Sequence, residues 1–304
     1  MRILNFGSLN IDRVYTVSHF VRPGETISAE SMKTSAGGKG LNQSIALSKS
    51  HSSVFHAGKI GTDGKFLVDI LHAAGVNTDN IITNESIPTG HAIIQVDERG
   101  QNSILLYSGA NRSITESDVD AVLSEFTSGD YLLLQNETSC LSYCIEQANR
   151  KGMRIILNPS PMDEILKSCD LSKISWLIMN EIEGKMLTNK NDPETICDSI
   201  LSSFPECRIV LTLGPSGSMY VDKNICYRHP TYDTPVVDTT GAGDTFTGFF
   251  FSGIISGLDP LQSLELASKA ASIAVSRHGA ASSIPTLEEV QKFDAPVFNV
   301  QTAV

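Results

Sequence analysis

The chain has 304 residues, 41% hydrophobic and 19% charged, with a formal charge of −11. That is enough chain for one large α/β domain with a real core, and the acidic balance argues against sequence-independent nucleic-acid binding, which needs a basic footprint. No apolar run reaches membrane-spanning length, and the start "MRILNFGSLN" lacks the apolar stretch and cleavage site of a signal peptide.

"RILNFGS" reads as a first buried strand. "DRVYTVSHF" and "ETISAESMKTSAGG" are polar and alternating, and read as exposed strands. "LNQSIALSKS" reads as a helix, "VFHAGKIG" as a strand, and "GKFLVDILHAAG" as a helix with a glycine stop. "HAIIQVDERGQNSILLYSG" reads as two strands around a polar turn. From about residue 115 the alternation is regular: helix "TESDVDAVLSEF", strand "YLLLQ", helix "SCLSYCIEQANRKG", strands "RIILNPSP" and "WLIMN", helices "EIEGKMLT" and "PETICDSILSSF", strand "RIVLTLG". "GSMYVDKNICYRH" has the form of a hairpin, and "GDTFTGFFFSGIISG" and "SLELASKAASIAVSRHG" are apolar helices. Such alternation predicts a mostly parallel sheet covered on both faces, with ligands at the carboxyl ends of its strands. The expectation is one α/β domain over 1–304, with the early polar strands standing off as a flap. The cysteines at 140, 144, 169, 197, 207 and 226 contain no Cys-x-x-Cys pair, and read as thiols in a reduced cytoplasm.

Four stretches that follow strands have the residues for chemistry. In "GSLNID", Asn10 and Asp12 flank one residue, so in extended chain they point the same way; an amide beside a carboxylate suits a polyol, although an Asx turn explains the pair equally well. In "SAGGKGLNQS", Gly37, Gly38 and Gly40 surround Lys39, with Asn42 at a helix start; this is neither a Walker loop nor a dinucleotide fingerprint. In "MNEIE", Asn180 and Glu183 share a helix face. A carboxylate there suits a hydrated Mg²⁺, but on spacing alone a capping arrangement is the simpler reading. The fourth is "VVDTTGAGDTFTG", preceded in the chain by "TLGPSG". Glycines let a backbone approach a ligand, and the helix that starts there points free N–H groups at an anion. Together these features suit phosphoryl transfer, with Asp244 taking the proton from an attacking hydroxyl.

"GSLNID", "PGET", "AGGKGLNQ", "NPSP", "MNEIE", "TLGPSG" and "DTTGAGDTFTG" occur in the order of the PfkB-type carbohydrate kinases, and from about residue 3 to about residue 290 the chain resembles them, nearest to the ribokinases. The resemblance implies a ribokinase-like three-layer α/β domain with a mostly parallel central sheet and a small β-sheet lid, its strands at about 12–36 and 91–107. It implies an ATP-dependent kinase acting on a small sugar, D-ribose first, with fructose, a ketodeoxy-sugar acid or a nucleoside as alternative acceptors. Asn10, Asp12, Gly38, Lys39, Asn42 and Glu137 would hold the sugar. Asn180, Thr212, Gly214, Gly217 and Gly243 would meet ATP, and Glu183 would act on Mg²⁺ through water. Gly241, Ala242 and Gly243 would form the anion hole beside the base Asp244. A monovalent cation, K⁺, would sit near Asp238, Thr240, Ala274, Arg277, Gly279 and Ser283, mostly on backbone carbonyls. The lid would exclude water and pair two subunits as a homodimer; neither nucleic acid nor membrane is implied. A non-catalytic sensor of sugar or nucleotide is the rival from another class, and would have lost Asp244 or the Gly-Ala-Gly turn.

Overall fold

The computed structural model describes residues 1–298. Two sheets organise them. The larger has nine strands in the order β13-β12-β11-β10-β9-β8-β1-β4-β5. These are β1 (Ile3–Phe6), β4 (Val54–Gly61), β5 (Asn77–Asn84), β8 (Tyr131–Gln135), β9 (Arg154–Asn158), β10 (Trp176–Asn180), β11 (Arg208–Thr212), β12 (Ser218–Val221) and β13 (Cys226–His229). From β11 to β5 the pairing is parallel; β12 and β13 close the sheet as an antiparallel hairpin. The smaller sheet has the order β3-β2-β6-β7, from β2 (Asn10–Thr16), β3 (Ser31–Gly37), β6 (Gly90–Val96) and β7 (Asn102–Tyr107).

Each face of the large sheet is covered, as strands apolar on both sides require. One face packs on α1 (Lys39–Lys49), α2 (Lys65–Ala73), α7 (Ala242–Ser256), α8 (Pro260–Val275) and the short α9 (Leu287–Gln291), through Leu41, Leu67, Phe249, Leu264 and Val290. The other packs on α3 (Glu116–Ser124), α4 (Leu141–Arg150), α5 (Glu181–Thr188) and α6 (Pro193–Ser203), through Val119, Ile145, Leu187 and Ile196. Helix α7 is apolar nearly all round because it is enclosed: Phe250 and Phe251 meet Trp176 of β10 with ring centroids 5.9 and 5.5 Å away. Start signals act where the sequence puts them. Thr115, Asn180, Asp259 and Thr286 each close a capping box.

Two elements, β5 and α9, go beyond the expected set, and two expected strands are shorter: β2 stops at Thr16 and does not reach Phe20. Residues 25–30 are loop and β3 starts at Ser31, because its partner β2 ends at Thr16, opposite Ser31. Upstream of that point β3 has no strand to bond. The six cysteines are free thiols, and among the described residues no helix is long and apolar enough to cross a membrane.

Helices α1 and α7 cross where neither has bulk. A Cβ on Gly248 would run into Ala46 and come within 2.8 Å of Leu47 N. Gly248→Ala should therefore push the helices apart and cost about 1–3 kcal/mol, the usual penalty for overpacking a core. Urea denaturation measures it; an unchanged midpoint would mean that the crossing has slack.

Candidate active site

The first part of the site is built on β2. Asn10 and Asp12 open the strand and, by its two-residue period, share a face. Asn10 pairs with Gly37 of β3 and with Gly90 of β6. A Cβ on Gly37 would strike the Asp12 carboxylate, and one on Gly90 would strike Asn10 Oδ1 and Asn111 Nδ2. Both glycines thus make room for polar side chains. Asn111 ties the start of β2 down: its Oδ1 accepts from Leu9 N at 3.0 Å and its Nδ2 donates to Asn10 Oδ1 at 2.8 Å. Asn10, Asn111 and Glu137 line one small crevice together with Leu106 and Arg112.

The turn into α1 delivers the second part. Gly38 has φ 95°, and a Cβ on it would lie 2.9 Å from Ser8 O. Gly40 packs directly on the Gly7–Ser8 backbone. This contact brings Lys39 N to Glu137 Oε2 at 3.1 Å and lets Ser8 Oγ donate to the same oxygen. Burial pushes the Glu137 carboxyl up, against the pull of the Lys39 ammonium and the Ser8 hydrogen bond. Burial, and then repulsion from Glu137, raise Asp12 from 3.8 to about 6. Burial alone would lower Lys39, but attraction from Asp244, Glu137 and Glu183 outweighs it and holds the ammonium above its ordinary value. One cation therefore sits among carboxylates that outnumber it.

Asp244 lies in the first turn of α7 and is 8% exposed. Its Oδ2 accepts from Asn42 Nδ2 and its Oδ1 from Gln43 Nε2, both at 2.9 Å. Gly241, at φ 74°, starts the helix, and a Cβ on it would lie 3.0 Å from Ala280 Cα. The first-turn N–H groups of Gly243 and Asp244 have no intrahelical acceptor and carry the positive end of the helix dipole.

On the other side of that helix start is a cleft of about 460 Å³. Thr212, Gly214, Gly217, Thr239, Ala242 and Gly243 line it, with Tyr232 and Phe246. Gly217 has φ 97° and Gly214 φ 54°, so the turn after β11 needs both glycines. Asn180 is not on the cleft wall. It pairs with Thr212 across β10 and β11, and its Oδ1 accepts from Glu183 N at 2.9 Å while Glu183 Oε2 accepts from Asn180 N at 3.0 Å. The capping arrangement is formed, and it uses one of the two Glu183 carboxylate oxygens.

Two loops face each other behind the α7 start. Asp238 bridges them, Oδ1 accepting from Thr240 N and Oδ2 from Gly279 N, both at 2.9 Å. Burial works to raise the Asp238 carboxyl, but the hydrogen bonds from Thr240 and Gly279 win and hold it below its ordinary value. Ser283 Oγ donates to Ala280 O at 2.8 Å. Ala274 is buried at the end of α8, where its carbonyl accepts from Arg277 N. The Arg277 side chain turns away to Glu289 at 2.6 Å. Among the described residues no three His, Cys, Asp or Glu side chains are grouped to hold a metal by themselves.

Sequence reasoning passed over Asn5, Gln43, Gln135 and His56, all buried. Their signal was present: Asn5, His56 and Gln135 each break an apolar run in a buried strand.

Residues 2–287 match the family described as pfkB family carbohydrate kinase. The chain is 34% identical over 302 residues to a ribokinase of Staphylococcus aureus, covering 96% of this chain and 99% of that one. It is 28% identical over 306 residues to a deoxyribokinase of Salmonella typhi, covering 96% and 98%. Its fold matches the structure of an Arabidopsis thaliana ribokinase complexed with ribose and ATP, with a TM-score of 0.86, 30% identity, and 96% and 99% of the two chains covered.

The raised Asp12 has a consequence for stability. The unfolded chain titrates it near 3.8 and the folded protein near 6. Between those values the folded state holds more protons, so this contribution to stability falls as pH rises through the window and is lowest above it. Asp12→Asn removes the penalised charge and should raise Tm by roughly 2–5 °C at about pH 7.5, with the gain fading towards about pH 4. Thermal melts at both pH values check this; a variant that melts lower at the higher pH would show that the carboxylate stabilises the fold.

Proposed function

The chain belongs to the pfkB family of carbohydrate kinases, and we propose that it transfers the γ-phosphate of ATP to the primary hydroxyl of a small sugar, turning D-ribose into ribose 5-phosphate. The observation that carries this reading is the position of Asp244: a carboxylate in the first turn of α7, hydrogen-bonded to α1 on the crevice side, with Gly243 beside it opening onto the large cleft. Asn10 and Asp12, with Glu137 and the loop of Gly38, Lys39 and Asn42, grip the sugar hydroxyls. Asp244 takes the proton of the attacking hydroxyl as its oxygen bonds to the γ-phosphorus and the bond to the β-phosphate oxygen breaks, releasing ADP. The turn of Gly241, Ala242 and Gly243 receives the charge on the transferring group, chiefly through the Gly243 N–H, since that of Ala242 is spent on Thr239 O. The nucleotide lies in the cleft against Thr212, Gly214 and Gly217, with Asn180 towards its phosphates.

Mg²⁺ would neutralise phosphate charge when bound. Glu183 fits an outer contact to it through water, because the capping box leaves one of its oxygens uncommitted. A monovalent cation fits the facing loops. Asp238 is held ionised there and each of its oxygens has accepted one N–H; Thr240, Ala274, Arg277, Gly279 and Ser283 would add backbone and hydroxyl oxygens. The four-stranded sheet acts as a lid that excludes water. It also presents Ile104, Leu105, Leu106 and Tyr107 on its edge strand, Leu105 at 68% exposure, which supports a homodimer paired through the lid. Six free thiols support a cytoplasmic setting.

The crevice wall sets Asn10, Ser108, Asn111, Arg112, Asn136 and Glu137 beside the apolar Leu106 and Pro161; its amides and carboxylate suit the hydroxyls of a small polyol. An intact Asp244 and Gly-Ala-Gly turn disfavour a non-catalytic sensor.

ATP consumption over a panel of pentoses, hexoses and nucleosides tests the assignment. Ribose should lead and outpace 2-deoxyribose, and Asp244→Asn should lower kcat about a hundredfold or more while keeping nucleotide binding. Turnover of a ketohexose or nucleoside but not ribose would remove the ribose assignment alone. A variant with most of its kcat would remove Asp244 as base.

Activity should also rise when potassium replaces a large organic cation at constant ionic strength, because the ion would order the loops around the α7 start. A rate indifferent to potassium would sink the cation site and leave the phosphotransfer reading standing.

A further inference from the structure

We propose that Gln43 is a positioning residue for Asp244: the end of a buried chain of amides that aims the carboxylate at the sugar hydroxyl without neutralising it. The inference rests on the reading of Asp244 as the base. Gln43 is fully enclosed, and its carboxamide can point only one way. Gln43 Oε1 accepts from Gln135 Nε2 at 2.7 Å, and Gln135 Nε2 gives its other hydrogen to Asn5 Oδ1 at 3.0 Å. Asn5 Nδ2 donates to Gly40 O and to Ser44 Oγ, both at 2.8 Å. Gly40 O can only accept, so it fixes Asn5, and each amide contact then forbids a flip of the next, since a flip would set oxygen against oxygen or nitrogen against nitrogen. Gln43 Nε2 is thereby committed to Asp244 Oδ1.

The chain ends on Ser44 and His56 Nδ1, 2.8 Å apart. Burial holds His56 far down, to about 3, so no charge competes at that end. The neighbouring residues Asn42 and Gln43 take opposite oxygens of Asp244, which fixes the carboxylate plane and leaves lone pairs on each oxygen for a substrate proton. The charged groups that act on Asp244 are Lys39 at the start of α1 and Glu137 after β8. A guanidinium in place of Gln43 would hold the carboxylate as firmly but quench its basicity; a neutral amide orients it at less cost to proton transfer. Gln43, Asn5 and Gln135 are thus accounted for by chemistry, where an apolar core would be cheaper than buried amides.

The test compares Gln43→Met, Gln43→Glu and Asp244→Asn, each first shown by thermal melting and nucleotide binding to be folded. Gln43→Met should lower kcat about tenfold or more, the loss expected for one hydrogen bond to a charged group, with the KM for ATP little changed. Gln43→Glu keeps the shape but sets a second carboxyl against Asp244, so the acid limb of its kcat–pH profile should move up by about one unit or more. A residue that merely fills space would move neither readout. If both Gln43 variants fold and keep kcat within about twofold with an unmoved acid limb, while Asp244→Asn collapses the rate, the positioning role is refuted and the base stands. If Asp244→Asn keeps its rate as well, the base reading is overturned and this inference with it.

Discussion

A carboxylate taken out of water must be hydrogen-bonded or lose its charge, and leaving it unmet costs several kcal/mol. Asp244 is such a group, and the arrangement around it follows from that constraint. Its two partners sit on α1, so α1 must lie against the start of α7. The helices can approach because Gly248 faces Ala46. Helix α1 can begin where it does because Gly40 rests on the Gly7–Ser8 backbone. That same contact brings Lys39 N to Glu137. Packing, and the joining of the Gly38–Asn42 loop to Asp244, are one requirement expressed in several places.

The charges divide the site into two halves. On the crevice side, Asp244 and Glu137 attract Lys39, and burial lifts the carboxyls of Asp12 and Glu137, with Glu137 also repelling Asp12 and Asp244 repelling Glu137. Such a region accepts hydrogen bonds from hydroxyl donors. On the cleft side the α7 start offers the N–H groups of Gly243 and Asp244, which no helix carbonyl takes, at the positive end of the helix dipole. A hydroxyl-rich acceptor and an anionic donor suit opposite halves, and Asp244 stands at their boundary. Behind it Asp238 keeps its charge through backbone N–H bonds from Thr240 and Gly279.

The four-stranded sheet is joined to the body where its strands are least bulky. Asn10 lies between Gly37 and Gly90, and Asn111 reaches across to hold it. Polar groups that touch the crevice are thus anchored to the body, while the edge strand β7 leaves Leu105 and Tyr107 exposed to solvent. One strand, β2, changes its surroundings along its length: buried at Asn10, open by Arg13.

The sequence by itself determined the elements whose cause is local. Period-two and period-3.6 patterns set most strands and helices, glycines marked the turns at Gly38, Gly217 and Gly241, and the Asn180–Glu183 spacing announced a capping box that indeed forms. Strand β5 lacks a clean alternation, and α9 is only Leu287–Gln291 long, too short for a helical period to show. The tertiary structure alone decided which buried polar groups meet. Asn42 and Asp244 are 202 positions apart, Asn10 and Asn111 101, and Asn5 and Gln135 130. A local pattern shows that a side chain is polar and enclosed, but not its partner, because a buried amide or carboxylate takes the donor that sheet order and helix crossing bring to it, and those are set by the packing of the whole chain.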